Sequence, residues 1–101
     1  MTEKRKAHYD LQSIKAAFSR VDKLKISMIA LKNAYALGLS DEDIVEVVQK
    51  TTRTMFYKSM TSHSDYRIWQ DVYHVPWNDN VLYVKFTLDI KGYYLIQLKE
   101  K

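Results

Sequence analysis

The sequence predicts an α+β fold in which N-terminal helices pack on one face of a C-terminal antiparallel sheet. Three observations carry that expectation. Up to residue 50, apolar residues recur at helical spacing behind residues suited to cap helices. From about Met55 the pattern changes to strand-like alternation. No repeat, and no linker long enough to divide domains, separates the two halves, so residues 1–101 read as one domain whose helices cover one side of its sheet. With 101 residues, 47% of them hydrophobic, two glycines and one proline, the chain can build a core without staples.

The elements follow in order. Asp10 reads as the N-cap of a first helix, with Tyr9 placed to staple onto Ile14, and Leu11, Ile14, Ala17, Phe18 and Val21 supply its apolar stripe. A second helix is expected after Ser27 through Met28, Leu31, Ala34 and Tyr35. Gly38 should end it, with Leu39 folding back as in a Schellman cap. Ser40 opens a third helix, where Asp41, Glu42 and Asp43 complement the positive end of the dipole and Ile44, Val45, Val47 and Val48 form the buried stripe. That role accounts for the acidic cluster, and no chemistry is assigned to it.

The clearest strand is Val81 to Asp89, with Leu82, Val84, Phe86 and Leu88 on one face and Tyr83, Lys85 and Thr87 on the other. In the last strand Tyr94, Ile96 and Leu98 form the apolar parity, and Gln97 and Lys99 the polar one. The faces must match if one side is covered. A three-residue loop of Ile90, Lys91 and a left-handed Gly92 makes that match, pairing Asp89 with Tyr93, Phe86 with Ile96, Val84 with Leu98, Lys85 with Gln97 and Tyr83 with Lys99. A two-residue loop would reverse the parity. Taken alone, the Tyr83–Lys99 face reads as an ordinary solvated sheet surface.

Charge and composition restrict the function. The net charge is +4, with eight basic against three acidic residues in 1–32, one against four in 33–50 and seven against five in 51–101. Such an excess permits binding to a polyanion without requiring it. The absence of cysteine excludes disulfides and cysteine-ligated zinc. A charged start with no apolar stretch behind it gives no sign of a signal peptide or a membrane span, so a cytoplasmic protein is expected.

Residues 56–73 read F-Y-K-S-M-T-S-H-S-D-Y-R-I-W-Q-D-V-Y and the tail closes on K-E-K, with E-K-R and a nearby His at the start and A-L-G-L before the third helix. In these segments the chain resembles the motility quorum-sensing regulator (MqsR) toxins of bacterial toxin–antitoxin pairs, in order over essentially its whole length. The resemblance implies a RelE-like fold and cleavage of messenger RNA near GC-containing triplets, with no metal, cofactor or ribosome. It implies Lys58, Gln70, Tyr83 and Lys99 as active-site residues. Parity had already set two of these opposite each other, whereas Lys58 and Gln70 owe their place to the resemblance. It also implies a cognate antitoxin with a zinc-binding region and a helix-turn-helix DNA-binding region, so that zinc belongs to the partner and operator DNA is met only through it.

The chemistry expected is transesterification, for which the two lysines would supply charge and Tyr83 a proton donor or acceptor, while Gln70, which cannot titrate, would orient sugar or phosphate. Tyr57, Met60, His74 and Lys85 are the further candidates for contact with RNA. His63 and Asp65 have a ligand-like spacing, but two residues do not make a metal site. Trp69 is expected to be buried, and Trp77, read as a loop residue, could line a partner surface. A competing reading is a non-catalytic module that binds nucleic acid or protein and acts in transcriptional regulation with the antitoxin; another is a degenerate toxin acting with its antitoxin at DNA.

Overall fold

A computed structural model describes residues 2–101. In chain order the elements are β1 (Glu3–Lys4), α1 (Leu11–Ala17), α2 (Met28–Ala36), α3 (Asp41–Lys50), β2 (Phe56–Thr61), β3 (Trp69–Trp77), β4 (Asn80–Asp89) and β5 (Gly92–Glu100), with single 3-10 turns at Val21–Lys23 and Arg53–Met55. The five strands form one antiparallel sheet in sequence order, β1-β2-β3-β4-β5, and the helices cover one of its faces. The expected α+β architecture is therefore observed, with an edge strand, β1, that the sequence pattern did not announce.

Local chemistry explains the helix limits. Asp10 accepts from the Ser13 N–H, Ser27 from the Ala30 N–H, and Ser40 closes a capping box with Asp43. After α2, Gly38 adopts φ +83°, the Gly38 N–H donates to the Tyr35 carbonyl and the Leu39 N–H donates to the Ala34 carbonyl. That is the Schellman pair. Nothing would meet a Cβ at Gly38 within 4 Å, so the glycine is needed for its backbone angle alone. Gly38→Ala is expected to cost about 1–2 kcal/mol, the strain of a left-handed alanine. The midpoint of reversible thermal unfolding checks this: an unchanged midpoint would mean the left-handed cap is not maintained.

The structure corrects two helix assignments. The first helix stops at Ala17, Phe18 closes it by donating to the Ile14 carbonyl, and Val21 lies exposed in the following 3-10 turn. The second helix buries Ala34, as expected, together with Ala30, while Met28 and Tyr35 are 66% and 50% exposed. The cause is the approach to β5. Ile26 forms a parallel bridge to Leu95, the Leu95 N–H donates to the Lys25 carbonyl, the Ser27 N–H donates to the Leu95 carbonyl, and Ser27 Oγ donates to the Ile96 carbonyl. Tied there, α2 lies against β5 and meets the core with alanines, the side chains small enough for that distance.

The β4–β5 hairpin corrects the predicted turn while keeping the predicted pair. Asp89 pairs with Gly92, so Ile90 and Lys91 form a two-residue turn, and Phe86 pairs with Leu95. Ile96 is then an extra residue, because the next pairs are Lys85 with Gln97, Val84 with Leu98 and Tyr83 with Lys99. The bulge restores the parity that the short turn reverses. Leu95 and Leu98, rather than Tyr94 and Ile96, consequently enter the core, and Leu88 near the hairpin end is exposed. Gly92 does carry a positive φ, +122°.

Candidate active site

The inner face of the sheet is apolar. Val75 lies beside Leu82, Tyr73 beside Val84, Val84 beside Leu98, and Phe86 beside Leu95, all under the helices. The outer face is organised in three rows across the strands. One row holds His74, Tyr83 and Lys99, the next Lys58, Val72, Lys85 and Gln97, and the third Met60, Gln70, Thr87 and Tyr94. A register shift between Phe56 and Lys58 brings Tyr57 to the first row, where its ring stacks on His74 at 4.3 Å between centroids. All four residues implied as catalytic thus share one face, together with Tyr57, Met60, His74 and Lys85.

The four are not one tight cluster. Tyr83 and Lys99 are direct cross-strand partners, with Lys99 Nζ 5.5 Å from the Tyr83 ring centre. Lys58 is one row away, and its charge reaches the phenol. Gln70 lies two rows from the Tyr83–Lys99 pair, roughly 13 Å in the strand direction. Lys85 occupies the middle, with its Nζ 5.9 Å from the Tyr83 ring centre. Val72 is fully buried beneath the long side chains of this face, and Met60 is 9% exposed, with little surface to offer a base.

Electrostatics separate these groups. Lys58 Nζ donates to Glu3 Oε2 at 2.8 Å, and this bond raises the lysine pKa and lowers that of the glutamate. Lys58 is accordingly held as a cation. Burial raises the Tyr83 phenol, a shift only partly opposed by Lys58. Burial lowers Lys85, helped by Lys99 and Lys58, and an anion bound among the three would favour its charged form. For His74, burial is again the first cause of a lowered pKa and the charge of Lys101 the second. The face therefore combines a cationic centre, a proton-bearing phenol and an aromatic row. These are the means to bind a phosphate and move protons around it.

Two residues that matter to this geometry had no assigned role in the sequence. Glu3 reaches Lys58 only because β1 pairs with β2, Glu3 opposite Met60 and Lys4 opposite Ser59. Nothing in a charged opening segment marks a two-residue strand. Asp71, the fourth residue of I-W-Q-D-V-Y, is fully buried on the inner face and accepts from Ser59 Oγ and from the His8 and Tyr9 N–H groups. An acid amid a strand pattern was the available signal. Trp69, expected to be buried, is only half-buried, stacked on His8 with Lys4 Nζ over its ring. Trp77 ends β3 and packs against the core, not in a free loop. Asp65 is engaged by Arg67, and among the described residues no three His, Cys, Asp or Glu side chains are grouped to hold a metal. No helix is long and apolar enough to cross a membrane.

Residues 6–100 match the family described as motility quorum-sensing regulator, toxin of MqsA. The chain is also 35% identical, over 99 residues covering 98% of its length and 99% of the relative, to the mRNA interferase toxin MqsR of Escherichia coli (strain K12).

Proposed function

Because the chain belongs to the motility quorum-sensing regulator family of toxins, we propose that it is an endoribonuclease toxin, one mRNA interferase domain spanning 1–101. The observation that carries this reading is the outer sheet face, where Tyr83 stands across from Lys99 with Lys58 and Lys85 one row away. Its substrate is single-stranded messenger RNA, cut near GC-containing triplets without metal or ribosome. Its partner is the cognate antitoxin, a zinc-binding, helix-turn-helix protein that neutralises it and alone contacts operator DNA. Its site of action is the cytoplasm.

The reaction is attack of a ribose 2′-hydroxyl on the adjacent phosphate with loss of the next nucleotide's 5′-oxygen. Lys58, Lys85 and Lys99 neutralise the charge that develops on the phosphate oxygens. Tyr83, whose burial keeps its proton in place, donates it to the departing 5′-oxygen. Tyr57 offers its exposed ring to a base. Successive nucleotides are spaced on the scale of the rows, so Gln70, two rows from the Tyr83–Lys99 pair, meets a neighbouring nucleotide rather than the scissile phosphate. That modifies the role expected of it.

The test is incubation of the purified protein with a defined RNA, in EDTA and without ribosomes, followed by mapping of both new ends. Cyclic 2′,3′-phosphate and 5′-hydroxyl ends beside GC-containing triplets are expected. Loss of all cutting in EDTA would overturn the metal-free chemistry, and cuts without sequence preference would overturn the triplet specificity.

A further inference from the structure

The transesterification lacks one participant among the residues implied by the family, a proton acceptor for the 2′-hydroxyl. Gln70 does not titrate. Lys58 is held as an ammonium by Glu3, and an ammonium has no lone pair to offer. Tyr83 keeps its proton. With Lys58, Lys85 and Lys99 assigned to the phosphate charge and the phenols set aside as proton-bearing, two titratable side chains with acceptor atoms remain close to the cationic centre among the described residues of this face, Glu3 and His74. Glu3 lies on the edge strand and its Oε2 is taken by Lys58 at 2.8 Å. His74 lies on the central strand β3, directly across from Tyr83.

The surroundings of His74 suit the task. Its ring stacks on Tyr57 at 4.3 Å with 23° between planes, and tilts 42° against Tyr83 at 5.6 Å. The Tyr57 contact is made through the ring face, so the in-plane nitrogens, which carry its proton chemistry, do not point into that phenol. The charged and titratable groups around it are Tyr57 and Lys58 from β2, Tyr83 and Lys85 from β4, Lys99 from β5 and Lys101 beyond it, with Glu3 of β1 past Lys58. The lysines among them disfavour a second positive charge on the imidazole.

We propose that His74 is the general base of the cleavage, removing the 2′-hydroxyl proton while the phosphate is held by the lysines of the neighbouring row. The inference rests on the ribonuclease reading above. The 2′-O–H proton passes to an imidazole nitrogen as the 2′-oxygen bonds to phosphorus. The P–O5′ bond breaks, its electron pair stays on O5′, and Tyr83 supplies the proton that makes the 5′-hydroxyl. Imidazolium and phenolate then exchange protons with solvent, leaving no net change. Because burial and Lys101 hold His74 below the ordinary imidazole range, the base is free at neutral pH.

The experiment follows kcat/KM for a short RNA with one mapped cut, over the acid and neutral range, in the wild type and His74→Ala, alongside an NMR titration of the His74 ring. The wild-type rate should fall about tenfold per pH unit below the measured His74 pKa, because the protonated ring cannot accept. His74→Ala should be about 100-fold slower at neutral pH, should lose that acid limb, and should regain activity with added imidazole, which a packing role would not produce. A variant rate within about threefold of wild type, or an acid limb surviving in the variant, assigns the base elsewhere, with Lys85 the next group to test, and overturns the proposal. If His74→Ala does not fold, a wild-type acid limb more than about one unit from the NMR pKa overturns it equally. A wild type that yields no cyclic-phosphate ends sinks the ribonuclease reading itself, whereas normal wild-type cleavage with an unaffected variant sinks only this step.

Discussion

Tyr83→Phe is expected to slow RNA cleavage by about 10²–10⁴-fold while leaving the fold intact. The substitution removes one hydroxyl from a ring whose other interactions a phenylalanine preserves. His74 still tilts against it, and Lys99 and Lys85 still lie 5.5 and 5.9 Å from its centre. Thermal stability should stay within about 0.5 kcal/mol, the range of a surface change that disturbs no packing. The loss belongs in kcat, with KM nearly unchanged, because the phenol's proton is needed as the 5′-oxygen leaves, not in the bound ground state. Burial sets the sign of the pH effect. It raises the phenol above its ordinary value of 10.0, so the acid is fully loaded through the neutral range and Tyr83 adds no loss of rate there. Single-turnover cleavage of a short RNA at saturating protein is the measurement. A variant that cuts at the wild-type rate removes Tyr83 from proton transfer and leaves it a wall of the site.

The pairing behind that prediction was legible in the sequence for a reason that was only half right. Parity of Leu82, Val84 and Phe86 against Leu98 required Tyr83 to face Lys99, and the structure pairs them. The route differs, because a two-residue turn and the bulge at Ile96 together give the same net register as a three-residue loop. Alternation constrains the number of residues between two pairs but not where an extra one is placed. The α2 face was only partly legible on similar grounds. Helical spacing placed Ala34 inward but Met28 and Tyr35 with it, and the tie from Ile26 and Ser27 to β5, far along the chain, turns Ala30 inward and leaves those two exposed. At the site, Lys58 and Gln70 have apolar neighbours of their own parity, so no periodicity could separate the outer face from the core there. Resemblance placed them on the same face, and the registers of β2 and β3 account for it physically. The Glu3–Lys58 pair joins residues 55 apart through a two-residue strand, beyond the reach of any local pattern.

Asp71→Ala should be the most destabilising change near the site, by about 3 kcal/mol or more. Asp71 is fully buried between β2 and the segment behind β1. Its Oδ1 accepts from Ser59 Oγ at 2.6 Å and from the His8 N–H at 3.1 Å, and its Oδ2 accepts from the Tyr9 N–H at 2.8 Å. Alanine leaves one hydroxyl and two backbone donors without a partner in a place that water reaches poorly, and each orphan of this kind costs about 1–3 kcal/mol. At roughly 4–8 °C per kcal/mol for a domain near this size, the melting temperature should drop by more than about 12 °C. Asp71→Asn retains one acceptor oxygen and turns an amide donor toward another donor, so it should fall between. The consequence reaches the outer face. The grip on His8 and Tyr9 anchors the chain that runs back to β1, and β1 presents Glu3 to Lys58. Below its melting temperature the Asp71→Ala protein should therefore show faster amide exchange at His8 and Tyr9, and a Lys58 ammonium no longer held against Glu3. Thermal unfolding monitored by circular dichroism and residue-resolved exchange measure the two effects. A melting temperature within about 3 °C of wild type would mean that the N-terminal segment is held by β1 pairing alone. Lost stability with undisturbed exchange at His8 and Tyr9 would place the importance of Asp71 in its bond to Ser59 instead.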